Sequence, residues 1–90
     1  MALDILEMVM ALEKEFQVRL PDEELRSIRT VGEVYECILR HLSPEQVPSS
    51  GNAYEGALWA RYLDVIERDT GVDRRWLHPT ATFVWDLGLD

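Results

Sequence analysis

Cysteine is almost missing from this sequence: Cys37 stands alone. On count, that excludes an internal disulfide and a cysteine-based zinc site, and the neighbours Tyr35, Ile38 and Leu39 mark Cys37 as an apolar thiol within a helix rather than a reactive one. Positive charge is scarce too. Nine Lys and Arg stand against 17 Asp and Glu, for a net charge of −8. The deficit is spread over both halves: residues 1–42 hold nine acidic and five basic side chains, and residues 43–90 hold eight and four. Nucleic-acid binding needs the opposite sign, so it is set aside. An acidic surface fits a basic protein partner, and it also simply keeps a small protein in solution; charge alone leaves both readings open. Long apolar runs are absent, so no segment is expected to cross a membrane. The N-terminal run is broken by Asp4 and Glu7, so no signal peptide is expected, and the cytoplasm is the simplest compartment. Catalytic patterns are missing as well. No nucleophile–base pair, P-loop or glycine-rich phosphate cradle is visible, and an enzyme is not expected. His41 and His78 lie far apart without a ligand set, so no metal site is expected.

What is present is helical patterning. In "LDILEMVMALEKEF", residues 3–16, Ile5, Val9, Leu12 and Phe16 recur at i, i+4, i+7 and i+11 on one helix face. Leu3, Leu6 and Met10 widen that face, and Met10 is expected in the core. Asp4 and Glu7 lie in the first two turns, where carboxylates oppose the positive helix end. Pro21 in "QVRLPDEEL" breaks the pattern and suits the first turn of a short helix over 22–28, with Leu25 and Ile28 inward. Thr30 with Glu33 three residues on is a capping box opening a further helix to residue 42, whose stripe is Val31, Val34, Tyr35, Ile38 and Leu42.

Turn-forming residues concentrate in "SPEQVPSSGNAYEG", residues 43–56, which holds two Pro, two Gly and three Ser and reads as a linker. Residues 57–69 form another amphipathic helix with Leu58, Tyr62, Val65 and Ile66 inward, and Gly71 stands at its left-handed C-cap. Residues 72–90 read as a long loop anchored on a core by Val72, Trp76, Leu77, Phe83, Val84, Trp85 and Leu87. Trp59, Trp76 and Trp85 could mark a partner surface, since Trp is enriched at hot spots; for Trp76 and Trp85 the favoured expectation is that they pin the loop to the bundle. The expectation is one all-α domain over residues 1–90, a four-helix bundle of three longer helices, one short helix and one long packed loop. Phe16, Ile28, Val34, Ile38, Tyr62, Ile66 and Phe83 are expected to be mostly buried. "DLGLD", residues 86–90, looks like the run-up to a helix, with a turn glycine and an Asp where an N-cap belongs.

Two blocks of the chain resemble the acyl carrier protein family of phosphopantetheine-binding carrier domains. Residues 2–39 resemble its second half: Ala2-Leu3-Asp4 stand for a Ser-Leu-Asp start, followed by Glu15-Phe16, Leu20-Pro21-Asp22-Glu23 and Thr30-Val31-Gly32. Residues 65–90 resemble its first helix and first loop, ending in the Phe83 to Asp90 counterpart of Phe-Val-x-Asp-Leu-Gly-x-Asp. The order of the blocks is reversed. The resemblance therefore implies a circularly permuted carrier fold, with family helices two to four over residues 1–42, the linker over 43–56, and family helix one and loop one over 57–90.

The resemblance further implies 4′-phosphopantetheine chemistry on a Ser at the start of the second helix, a position that suits a phosphate. Ala2 occupies that position and has no hydroxyl, so this chain is expected to carry no cofactor itself. It also implies a partner-facing surface of Leu3, Asp4, Glu7, Glu13, Glu15, Asp86 and Asp90. These would meet basic patches of acyl-processing or phosphopantetheinyl-transferase-type enzymes; Lys14 interrupts the acidic face. A solvated helix face is the plainer reading of the same carboxylates. The function expected is thus a docking module of fatty-acid or polyketide metabolism that is not itself loaded, monomeric in preference to a swapped dimer. Halves of two tandem carrier domains, a swapped dimer of a carrier, and an acidic helical adaptor unrelated to acyl transfer are the alternatives.

Overall fold

A computed structural model describes residues 3–43, 45, 47 and 54–89, with only the backbone of Leu3. Among the described residues are four α-helices, α1 (Leu3–Phe16), α2 (Asp22–Leu25), α3 (Val31–His41) and α4 (Ala57–Thr70), and a 3-10 turn at Arg74–Trp76. Among the described residues there is no strand, only an isolated antiparallel bridge between Thr30 and Thr82. None of these helices is long and apolar enough to cross a membrane.

α1 buries Met8, Val9, Leu12 and Phe16, with Ile5 and Ala11 partly covered. The buried arc differs from the one the spacing predicts. Met8, outside the predicted stripe, is 0% exposed, whereas Leu6 is 42% and Met10 59% exposed. α1 packs along α4, and the side facing α4 decides which apolar residues go inward. The helix ends at Gln17, a non-glycine residue in left-handed backbone (φ 54°), and Val18 N–H donates to Glu13 C=O at 3.1 Å.

α2 is a single turn whose Glu24 and Leu25 amides donate to Pro21 C=O, both at 3.1 Å. It buries Leu25, while Ile28 beyond it is only half-buried. The capping box of α3 forms as read: Glu33 N–H donates to Thr30 Oγ1 at 3.2 Å, and Thr30 N–H donates to Glu33 Oε1 at 3.0 Å. α4 buries Trp59, Tyr62, Leu63, Val65 and Ile66 and closes on Gly71 (φ 78°), whose N–H donates to Glu67 C=O at 2.9 Å. Trp59 packs with Tyr35 and Tyr62, at ring-centroid separations of 4.9 and 5.3 Å. The buried Tyr62 hydroxyl donates to Val31 C=O at 2.6 Å, joining α4 to the start of α3.

The segment after α4 lies against that same point. Val31 N–H donates to Ala81 C=O at 2.9 Å, Gly32 N–H to Pro79 C=O at 2.8 Å, and Phe83 N–H to Arg29 C=O at 3.1 Å. A helix leaves its first four N–H groups without internal partners. Here the tail accepts from Val31 and Gly32, while the capping box takes the other two, Thr30 N–H on Glu33 Oε1 and Glu33 N–H on Thr30 Oγ1. A side chain at position 32 would put its Cβ 2.7 Å from Pro79 O, which is why this close crossing takes glycine. Leu77, Ala81, Phe83 and Leu89 anchor the segment in the core. Neither predicted tryptophan anchor does so: Trp76 is 58% and Trp85 87% exposed. Backbone hydrogen bonds and smaller side chains hold this tail, which leaves both indoles largely exposed, with the Arg75 guanidinium 5.7 Å over the Trp76 ring.

Candidate functional site

The first two turns of α1 and the loop over residues 82–87 flank one groove of about 530 Å³. Ile5 and Val9 of α1, Leu25, Ile28, Val34 and Phe83 give it an apolar lining, with Arg26 and Arg29 at its edge. Val84 and Trp85 stand on the loop side. The loop is shaped by Asp86, whose Oδ2 accepts from Thr82 N–H at 2.8 Å and from Thr82 Oγ1 at 3.1 Å, and by Gly88 in left-handed backbone (φ 67°). This turn holds Val84 and Trp85 outward.

The carboxylates read from the sequence fall into two groups. Asp4 and Glu7 are exposed and make no ion pair among the described residues. They share α1 with exposed Leu6 and Met10. Glu13 and Glu15 are engaged inside the molecule. Glu13 Oε2 accepts from Leu20 N–H at 2.8 Å and ties down the chain reversal after α1. Glu15 Oε2 accepts from Arg61 Nε at 2.7 Å, and the same guanidinium sits 5.0 Å over the Phe16 ring. Asp86 is exposed but occupied in its own turn. Ala2 and Asp90 lie outside the described residues, as does the side chain of Leu3. Leu6, Met10 and Trp85 form the apolar part of this surface: they are as hydrophobic as core residues, and the docking of α4 and the loop hydrogen bonds place them outside.

A hydroxyl able to take a phosphopantetheine arm is not offered at any described helix start. Thr30 caps α3 but its oxygen is engaged by Glu33 N–H. Ser27 lies after α2 and donates to Glu24 C=O at 3.1 Å. At the head of α1 the sequence has Ala2, whose methyl group has no oxygen to form a phosphodiester. At the described helix starts, therefore, no free hydroxyl fits the prosthetic group.

The described residues thus form a small helical bundle with carboxylates and apolar side chains around a groove. Residues 2–38 match the family described as a phosphopantetheine attachment site. Similar proteins include the acyl carrier proteins of Clostridium perfringens (strain SM101 / Type A) and Clostridium acetobutylicum. Each is 48% identical over 40 residues, which is 44% of this chain and 53% or 52% of the relative. The acyl carrier protein of Wolinella succinogenes is 51% identical over 37 residues, 41% of this chain and 49% of the relative. The chain thus spans about half the length of the curated relatives it matches. Over residues 2–38 the chain is similar to acyl carrier proteins. No solved structure matches.

Proposed function

We propose that this chain is a circularly permuted acyl-carrier-type domain that docks onto carrier-recognising enzymes without being loaded itself. The observation that carries the reading is the free acidic and apolar head of α1: Asp4 and Glu7 stand exposed beside exposed Leu6 and Met10. Carboxylates without internal partners steer a basic surface, and exposed Leu and Met side chains give it something to bury. Trp85 across the groove adds an aromatic contact of the kind enriched at binding hot spots. The permuted order is supported by the way residues 79–83 fasten onto the start of α3, and the proposal takes the chain as a monomer. The partners are acyl-processing or phosphopantetheinyl-transferase-type enzymes of cytoplasmic fatty-acid or polyketide metabolism, met through their basic patches. The sequence resemblance adds Leu3 and Asp90 to this proposal.

Two measurements test this. With coenzyme A and a broad-specificity phosphopantetheinyl transferase, the chain should gain no mass; a mass gain on the unmutated chain sinks the unloaded reading. In the same assay, excess chain should slow loading of a conventional acyl carrier protein, and the double variant Asp4→Lys, Glu7→Lys should lose that inhibition. If the charge-reversed chain competes as well as the parent, docking does not run through α1.

A further inference from the structure

The last turns of α3 carry a cluster on a face that the docking surface does not use. Cys37 and His41 stand one helical turn apart, and α2 brings Glu24 against them. One carboxylate oxygen of Glu24, the Cys37 sulfur and one imidazole nitrogen of His41 all lie within 4.8 Å of one another. His41 Nε2 is 2.7 Å from Glu24 Oε2. The other carboxylate oxygen accepts from Arg40, with Nη2 at 3.3 Å and Nε at 3.4 Å. Cys37 is buried, while the His41 side chain keeps 32% of its surface in solvent. We propose that Glu24, Cys37 and His41 form a binding site for one divalent ion of the zinc class, with water as the fourth ligand.

The donor set decides the class of ion. A thiolate with an imidazole suits zinc or cobalt, whereas magnesium and calcium take oxygen ligands. Distances permit it. Ligand atoms sharing a tetrahedral zinc lie about 3.3–3.6 Å apart, from bond lengths of ~2.0–2.3 Å. The His41 and Glu24 atoms must therefore open from 2.7 Å. A pair at the 4.8 Å limit must close by about 1.2 Å, within reach of side-chain rotation. Exposure of His41 leaves one side of the ion open to water. Arg40 holds the non-ligating oxygen of Glu24, the kind of outer contact that orients a metal-binding carboxylate. The negative charge of a thiolate and a carboxylate would balance the ion. Binding breaks the Cys37 S–H bond, forms a sulfur–metal bond and releases the proton to water; neutral His41 supplies a lone pair, and no electron changes hands. Counting cysteines along the sequence excluded a zinc site, but a mixed site needs only one, and its ligands meet across 17 residues of chain.

The test uses metal ions alone. The whole chain is titrated with Co²⁺ under reducing conditions, and then with Zn²⁺ in competition. The expected result is one Co²⁺ per chain with sulfur-to-cobalt charge-transfer absorption, displaced by an equivalent of Zn²⁺. His41→Ala and Glu24→Gln change exposed or half-exposed side chains and should each weaken Zn²⁺ binding about tenfold or more. His78→Ala should leave it unchanged. Absence of the thiolate band in the folded parent chain, or a His41→Ala variant that binds as tightly as the parent, overturns the site.

Discussion

Residues 3–41 and residues 72–89 reach the same core by different means. The first region is helical, and its amphipathic faces bury Met8, Leu12, Phe16, Val34 and Ile38 as continuous packing surfaces. The second holds no more regular structure than one 3-10 turn, yet it buries Leu77, Ala81, Phe83 and Leu89 and hands its carbonyls to Val31 and Gly32. Helix packing is redundant, because many side chains share the load. The tail depends on a few backbone contacts that accept no substitute. The family match falls on the first region, over residues 2–38, and the tail lies beyond it. Patterned side chains are easier to recognise in sequence than a path of carbonyls.

The largest effect should come from the helical region. Phe16→Ala removes a ring that is 5% exposed and should cost about 3–5 kcal/mol, read as a shift in urea midpoint. A loss below ~1 kcal/mol would mean that this region owes little to Phe16. Next, Gly32→Ala tests the tail contact. The new Cβ meets the Pro79 carbonyl and should cost about 1–3 kcal/mol, with faster amide exchange at residues 31 and 32. Unchanged exchange there would show that the tail contact is not tight in solution.

The capping box gives a smaller effect with a pH signature. Hydrogen bonds from the Arg29 and Thr30 amides hold the Glu33 carboxyl below its usual range. A depressed folded pKa contributes stability that is present above the ordinary carboxylate range and lost as pH falls through the folded value. Thr30→Ala should cost about 1 kcal/mol at neutral pH. Glu33→Gln should flatten the acid side of the stability profile; an acid limb of unchanged slope would remove Glu33 as a source. Arg61→Ala, which breaks the exposed pair with Glu15 across α1 and α4, should cost the least, about 0–1 kcal/mol. Thermal melts at low and high salt check it, and a larger loss would point to the stacking of Arg61 on Phe16.

Much of the fold was legible because periodicity and caps act locally. The bounds of α1, the Thr30–Glu33 box and the Gly71 cap each follow from residues a few positions apart. The failures share a different cause. In α1, apolar residues surround the helix, so spacing could not choose between Met8 and Met10; the position of α4 chose. Trp76 and Trp85 look like anchors in the sequence, but backbone hydrogen bonds and the smaller side chains Leu77, Ala81, Phe83 and Leu89 hold the tail instead. Of the candidate surface, Asp4 and Glu7 were legible as exposed carboxylates, whereas the engagement of Glu13 by Leu20 and of Glu15 by Arg61 depends on how the chain turns back on itself.

The carbonyls that complete the first turn of α3 also set an order of events during synthesis. Residues 31 and 32 leave the ribosome long before Pro79 and Ala81, so α3 starts life with bare donors at its head. Chains generally fold as units while they emerge, N-terminal parts first, but contacts between distant segments wait for loop closure. Here two donors at the head of a helix that looks self-sufficient in sequence gain their protein partners only when the tail arrives. A nascent chain stalled before residue 79 should therefore resist compaction, and one stalled with residues 79–83 clear of the exit tunnel should fold in a single step.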